Sequence, residues 1–107
     1  MTSVDLQEIG NRINQRRKEL GFTQEKVADL MDVSIQMVSN LERGNKAIKI
    51  DNLIKISEIL GISTDYILTG KHTLNDHNLM LLKLTKLSED DYNMIDILTD
   101  YCLSKGR

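Results

Sequence analysis

The stretch TQEKVADLMDVSIQMVSNLERG, residues 23–44, has the pattern of two short helices joined by a tight turn. Thr23 is a favourable N-cap for the first helix. Behind it, Val27, Ala28 and Met31 recur at the spacing of one helix face. The first of the two helices therefore has an apolar side that must pack against another part of the molecule.

The second helix of the pair follows a turn at Asp32 and Val33 and can be capped by Ser34. Its apolar residues fall on one side, and polar residues at i, i+3, i+4 and i+7 fall on the other. The polar side consists of Gln36, Ser39, Asn40 and Arg43. The major groove of DNA admits an α-helix, and amide and guanidinium groups hydrogen-bond to base edges there. This pattern predicts a helix suited to contacting DNA bases.

The composition predicts one small domain with an appendage and an all-α fold. The chain has 107 residues, 40% of them hydrophobic, with no proline and a single cysteine, so the fold must rest on packing rather than on an intramolecular disulfide. No apolar run approaches the roughly 20 residues of a membrane span. The first ten residues lack the basic stretch and apolar run of a signal peptide, so we expect a cytoplasmic protein with no membrane association.

The charge balance leaves nucleic-acid binding open. Fourteen basic residues against sixteen acidic ones give a net charge of −2, so the chain is not a general polycation. Basic residues cluster locally on the first helix, at Arg12, Arg16, Arg17 and Lys18. Phosphates respond to such local charge, because the Debye length is only about 8 Å at physiological salt. The cluster is either a phosphate-facing patch or a solvated helix face, and periodicity does not separate the two.

One charged residue of the first helix, predicted over 6–20, falls on its apolar stripe. Arg17 lies four residues after Ile13, where an unpaired guanidinium group would be costly. The best-placed carboxylate is that of Glu42, so we expect a structural salt bridge between Arg17 and Glu42 that ties the first helix to the second helix of the pair. The alternative is that Arg17 extends to solvent.

Two more short helices complete a five-helix bundle. Asp51 is expected to cap the fourth helix and Ser63 the fifth. Glycines at 61 and 70 are placed to end them. The predicted core is Leu6, Ile9, Ile13, Leu20, Val27, Ala28, Met31, Val38, Leu41, Leu53, Ile56, Leu60 and Ile67.

A polar break at residues 71–76 divides a domain at 1–70 from a C-terminal helical extension at 71–107. The extension contains an apolar run at 79–87 and a last helix opened by Ser88. Two helices bury little apolar surface by themselves, so they must pack on the first domain, on a second copy of the chain, or on both. We favour a homodimer, whose interface would include Leu79, Leu82, Met94, Leu98 and Tyr101.

Residues 9–70 closely resemble the lambda-repressor-like Cro/cI type of helix-turn-helix domain, the XRE family of bacterial and phage regulators. The resemblance rests on Arg16-Arg17, Leu20-Gly21, Thr23-Gln24, Val27-Ala28, Val33-Ser34, Val38-Ser39, Leu41-Glu42-Arg43-Gly44, Leu60-Gly61 and Tyr66-Ile67-Leu68. It implies a five-helix bundle in which residues 35–43 enter the major groove and the first helix of the pair crosses the DNA backbone.

The resemblance also assigns roles to individual residues. The base-contacting positions would be Ile35, Gln36, Ser39 and Asn40, and the phosphate-contacting positions Gln24, Arg43, Asn45 and Lys46. Gln36 and Asn40 suit bidentate contact to adenine, and Ile35 suits a thymine methyl. Many relatives have a polar residue where this chain has Ile35, so Ile35 contacts either a base or a sugar.

The expected function is therefore a sequence-specific, DNA-binding transcriptional regulator of the repressor type, acting as a dimer on a palindromic operator. The alternative is a helical protein-interaction module, such as an antitoxin whose C-terminal helices bind a regulatory protein partner. His72 and His77 lack further ligands at metal-binding spacing, and no nucleophile is paired with a base. We therefore expect no metal, no cofactor and no enzymatic activity.

Overall fold

The computed structural model describes residues 4–106, and every regular element within them is an α-helix. The helices are α1 (Leu6–Glu19), α2 (Gln24–Met31), α3 (Ile35–Glu42), α4 (Ile50–Leu60), α5 (Thr64–Thr69), α6 (Leu74–Thr85) and α7 (Glu89–Lys105). The all-α prediction of five helices followed by two is confirmed. The chain divides into two units between Thr73 and Leu74, later than the boundary expected at residue 70. The outer ends of the two expected domains, residues 1–3 and 107, lie outside the described residues.

Short polar side chains begin most of these helices. The side chains of Asp5, Thr23, Ser34, Ser63 and Ser88 each accept a hydrogen bond from a backbone N–H in the first turn of the helix that follows. The expectation that Asp51 caps the fourth helix is wrong, because α4 begins at Ile50 and its N-cap residue is Lys49, two residues earlier than expected. Asp51 lies instead in the first turn of α4, where a carboxylate interacts favourably with the helix dipole.

The core of the first unit is formed by α1 to α5. Its buried apolar side chains are Ile9, Ile13, Val27, Ala28, Met31, Val38, Leu41, Ile56, Leu60 and Ile67. All of them belong to the predicted core, and Leu6 and Leu53 pack half-buried against it. The prediction for Leu20 is wrong, since 37% of this residue is exposed. Leu20 follows the last residue of α1 as its C-cap, where helix periodicity no longer fixes the direction of the side chain.

Two glycines allow α1 and the end of α3 to approach at backbone distance. A Cβ atom at Gly10 would overlap the carbonyl oxygens of Leu41 and Glu42. A Cβ atom at Gly44 would lie 2.7 Å from the Cα atom of Gln7. Because neither position has room for a side chain, the C-terminal end of α3 sits directly on α1.

The turn between α2 and α3 depends on a left-handed residue. Asp32 has a φ of 58°, the one positive φ among the non-glycine residues at 4–106. Its backbone N–H donates to the carbonyl of Asp29, and that of Val33 donates to the carbonyl of Ala28. Aspartate tolerates this conformation better than most residues do. The turn therefore occupies the two residues predicted, and it sets the angle at which α3 leaves α2.

The second unit consists of α6 and α7. The polar break expected at 71–76 is only partly correct, because α6 already begins at Leu74 and includes Asp76 in its first turn. An acidic residue is favourable at that end of a helix, so its polarity does not mark a loop. No described residue of α6 or α7 is buried.

Candidate nucleic-acid interface

The outer face of α3 presents the predicted base-contacting residues together. Gln36 and Arg43 are exposed, and Ser39 and Asn40 are half-buried. Ile35, at the start of the helix, is 49% exposed. The opposite side of α3 lies in the core of the first unit. The helix is therefore amphipathic, with its amides, hydroxyl and guanidinium group on the solvent side.

A hydrogen-bonded chain runs along this outer face. The Oδ1 atom of Asn40 accepts from Gln36 Nε2 at 3.3 Å and from Arg43 Nη2 at 3.0 Å. The three residues are spaced by four and three positions, so they are neighbours on the helix surface. Periodicity predicted that they share a face but not which amide atoms are already engaged. The sequence therefore does not predict which atoms donate and which accept along this face.

Beneath this face, one carboxylate joins three helices. The predicted ion pair is present, with Arg17 Nε donating to Glu42 Oε2 at 2.7 Å and Arg17 Nη2 to Glu42 Oε1 at 3.0 Å. Glu42 Oε1 also accepts from Asn14 Nδ2 at 2.6 Å and from Gln24 Nε2 at 3.1 Å. Glu42 thus links α3 to α1 and α2. The part played by Asn14 was not predicted, although it precedes Arg17 by three residues and shares its side of α1.

The surroundings of Glu42 keep its carboxyl group ionised. Burial raises its pKa, but the hydrogen bonds from Arg17, Asn14 and Gln24, together with the positive charge of Arg17, lower it by more. The net pKa lies below the ordinary value of 4.5. The carboxylate of Glu42 is therefore ionised at neutral pH and joins α3 to α1 and α2 through charged hydrogen bonds.

The basic cluster of α1 is mostly used inside the fold. Arg12 Nε donates to the carbonyl of Ile67 at 2.8 Å, and Arg16 Nε donates to that of Leu60 at 2.9 Å. These carbonyls lie in the last turns of α5 and α4, where a cation also interacts favourably with the helix dipole. With the third arginine in the ion pair, Lys18 is the exposed member of the cluster. The structure therefore favours a structural role for these arginines over a phosphate-facing patch.

The residues expected to contact phosphates differ in their surroundings. Arg43, Asn45 and Lys46 are exposed directly after α3. Gln24, the first residue of α2, is half-buried and already donates one hydrogen bond to the carboxylate of Glu42. An amide nitrogen carries two hydrogens, so one donor of Gln24 is left over from this bond.

The residues expected at a dimer interface lie on α6 and α7. Leu79, Leu82, Met94, Leu98 and Tyr101 are each between 50% and 63% exposed. Leu81, Ile97 and Leu103 are similarly exposed. The second unit thus presents a large amount of apolar surface.

The described residues contain no cluster of metal-ligand side chains. Within residues 4–106, no three histidine, cysteine or acidic side chains are grouped closely enough to hold a metal ion. His72 stacks on the ring of Tyr66, with 4.4 Å between the ring centroids. None of the helices described is both long enough and apolar enough to cross a bilayer.

Comparison with known proteins gives a consistent family match. Residues 13–67 match the helix-turn-helix family. The HTH-type transcriptional regulator ImmR of Bacillus subtilis (strain 168) is 33% identical over 70 residues, a stretch that covers 65% of this chain and 54% of ImmR. The chain therefore spans about half the length of this relative.

Two solved structures resemble the chain to different extents. The P22 c2 repressor in complex with a synthetic operator aligns with a TM-score of 0.58 and 33% identity, over 65% of this chain and all of that one. The complex of the SinR and SinI proteins aligns with a TM-score of 0.59 and 26% identity, over 90% of this chain and 98% of that one. The first similarity corresponds to the length of the first unit, whereas the second also extends into α6 and α7.

Proposed function

The chain belongs to the helix-turn-helix family, and we propose that it is a sequence-specific DNA-binding transcriptional regulator that acts as a repressor. The family and the relatives described above are regulators rather than enzymes. Support for the repressor role comes from the P22 c2 protein, a repressor whose structure includes an operator.

The observation that carries this proposal is the division of α3 between a fixed underside and an exposed polar face. In the proposed complex, α3 lies in the major groove with Gln36, Ser39 and Asn40 at base edges and Ile35 at a thymine methyl. Its underside is held by the buried core and by the charged hydrogen bonds of Glu42. A helix held in this way presents its side chains in a fixed register, which base recognition requires.

Phosphate contacts would fix the orientation of α3 in the groove. Arg43, Asn45 and Lys46 follow the helix and are exposed, and Gln24 retains an N–H that is free of its bond to Glu42. All three arginines of α1 are engaged within the fold, so this helix offers only Lys18 as an exposed cation for nonspecific attraction. We therefore expect a shallow dependence of affinity on salt, with a slope set by a few phosphate contacts.

The same proposal includes a homodimer through the second unit. A second copy would cover the exposed apolar residues of α6 and α7, including Leu79, Leu82, Met94, Leu98 and Tyr101. Two copies of α3 related by a dyad would read half-sites whose centres are about 34 Å, or about 10 base pairs, apart.

Charge distribution on α7 supports a copy of the same chain as the occupant. Its first turn carries Glu89, Asp90 and Asp91, and its last turn carries Lys105. If two copies of α7 pack antiparallel, the acidic start of one lies beside the basic end of the other. A parallel arrangement would bring the acidic turns together.

Selection of bound sequences from a random duplex pool, combined with mass measurement of the free protein, tests this function. We expect enrichment of one two-fold symmetric sequence and a mass twice the 12.2 kDa of the chain. Failure to enrich any sequence would contradict the proposal. An asymmetric site bound by a protein of single-chain mass would contradict the dimer and leave sequence-specific binding in place.

A second candidate is a regulatory protein partner for α6 and α7. It is favoured by the similarity to the SinR and SinI complex, which contains two different proteins and matches 90% of this chain. On this hypothesis the free chain stays monomeric at micromolar concentration, and Leu98→Asp leaves its mass unchanged. A stable homodimer that Leu98→Asp dissociates would count against a separate partner on this surface.

A further inference from the structure

The side-chain oxygen of Asn40 is fully engaged on the protein itself. It accepts from Gln36 Nε2 at 3.3 Å and from Arg43 Nη2 at 3.0 Å. A carbonyl oxygen has two lone pairs, so two donors fill its accepting capacity. Asn40 therefore faces solvent as a donor only, through the two hydrogens of Nδ2.

Gln36 retains a different set of groups. One hydrogen of its Nε2 is donated to Asn40, and the other hydrogen and the Oε1 atom are left for a ligand. An amide with one free donor and one free acceptor matches the major-groove edge of adenine, which offers the N7 acceptor and the N6 amino donor. The two neighbouring amides of α3 thus differ in chemistry although their side chains are of the same kind.

Resting on the proposed function, we propose that Asn40 donates to a base acceptor, either a keto oxygen or a purine N7, and that it positions Gln36 to read adenine. Guanine O6, thymine O4 and the N7 atom of either purine are acceptors in the major groove, whereas the amino groups of adenine and cytosine are donors. To accept from an adenine amino group, Asn40 Oδ1 would have to release Gln36 or Arg43. Residue type alone suggests that Gln36 and Asn40 suit adenine equally. Their hydrogen bonds give them different roles, because only Gln36 keeps both a donor and an acceptor for adenine.

The same bonds make Asn40 a positioning residue for its two neighbours. Gln36 and Arg43 lie on either side of it on the surface of α3 and are exposed, so Asn40 is the side chain that restrains both of them. Removal of Asn40 therefore has two consequences, loss of its own base contact and release of Gln36. A residue that contacted only its own base would show the first consequence alone.

Two substitutions in the 107-residue chain separate these two consequences. Asn40→Asp keeps an oxygen that accepts from Gln36 and Arg43 but cannot donate, whereas Asn40→Ala removes both functions. Each variant, with the wild type and Gln36→Ala, is used to select sequences from a random duplex pool. Gln36→Ala identifies the base pair that Gln36 reads, and circular dichroism confirms that each variant is folded.

We expect the wild type to prefer one base pair at the position read by Asn40 by about 5- to 150-fold, as for one good base contact. Asn40→Asp should change which pair is preferred there, because a carboxylate accepts from base amino groups and cannot donate to base acceptors, and it should leave adenine preferred at the Gln36 pair. It should also weaken binding to every sequence, because it adds negative charge beside DNA. Asn40→Ala should weaken the base preference at both pairs.

Two results would overturn the proposal. Asn40→Asp could leave the preference at its own pair unchanged, or Asn40→Ala could leave the preference at the Gln36 pair unchanged. In each case a sequence is still enriched, so sequence-specific DNA binding survives. Absence of enrichment with the wild type would instead overturn the proposed function and this inference together.

Discussion

The two units of the chain contain similar apolar stripes but use them differently. In the first unit, Ile13 and Leu60 are 1% and 0% exposed, because five helices close around them. In the second unit, Leu98 lies on an equally helical stripe and remains 52% exposed. Periodicity thus identifies the side of a helix that must be covered, but it does not say whether the cover belongs to the same molecule.

Because of this difference, substitutions in the two units are expected to change different measured quantities. In the first unit, buried groups beneath α3 hold its outer face in position, so substitutions of these groups alter the free energy of unfolding. On our proposal, the apolar face of the second unit is covered by another chain, so changes there alter association. The following substitutions test that division.

Glu42→Ala has the largest expected effect on folding. It leaves the guanidinium group of Arg17 buried without its carboxylate, and breaking one side of such a pair costs about 3 to 5 kcal/mol. Urea unfolding followed by circular dichroism measures the loss. The double substitution Arg17→Met with Glu42→Leu removes both charges and should recover most of the stability. If the single and double variants are equally unstable, the uncompensated charge is not the cause.

Leu98→Asp is expected to act on association instead. Placing a carboxylate in an apolar dimer interface should raise the dimer dissociation constant by roughly 100-fold, equivalent to about 3 kcal/mol. Sedimentation measures this change, and Lys83→Ala on α6 serves as a control for an exposed polar position. Unfolding of the first unit should be unaffected by Leu98→Asp. A large loss of its stability would show that this residue supports the first core rather than an interface.

Gly10→Ala tests the close contact between α1 and α3. The added methyl group overlaps two backbone carbonyls and cannot be relieved by a side-chain rotation, so we expect a loss of about 2 to 3 kcal/mol in the free energy of unfolding. Gly21→Ala is the matched control, because a Cβ atom there meets no atom within 4 Å and its cost is limited to the left-handed backbone, about 1 kcal/mol. Equal losses in the two variants would contradict direct packing at Gly10.

Acid should weaken the first unit through Glu42, with a smaller and gradual effect. The folded pKa of this carboxyl group lies below its ordinary value of 4.5, so its contribution is complete above that value and is lost as pH falls through the folded pKa. One such group changes the free energy of unfolding by at most about 1.4 kcal/mol per pH unit. Glu42→Gln should flatten this part of the pH profile in urea titrations. An unchanged profile would assign the acid sensitivity to other groups.

Much of the first unit could be predicted from sequence because its signals are local. The caps Thr23 and Ser34 and the buried face at Val27 follow from residue type and spacing. The predictions for Leu20 and Asp51 are wrong because both lie at helix ends, where a displacement of one or two residues changes their role. Local pattern carries little information at such boundaries.

The polar arrangement of the site depends on contacts that a linear pattern does not contain. Burying an unpaired guanidinium group is energetically costly, so a buried Arg17 implies a carboxylate partner. The pairing of Arg17 with Glu42 could be predicted for this reason. The engagement of Arg12 and Arg16 with carbonyls 55 and 44 residues away could not be predicted in this way, because exposed arginines have many acceptable partners. The same holds for the direction of the bonds to Asn40.

Our proposal that the outer face of α3 distinguishes base sequences is tested by competition binding of the Gln36→Ala variant. Affinities are measured for a selected duplex and for a scrambled one across a range of salt concentrations. We expect Gln36→Ala to lower affinity for the selected duplex by about 1 to 3 kcal/mol and to leave affinity for the scrambled duplex unchanged. Lys46→Ala, the matched control, should weaken both and reduce the salt slope by about one. Equal loss on both duplexes with Gln36→Ala would contradict the claim.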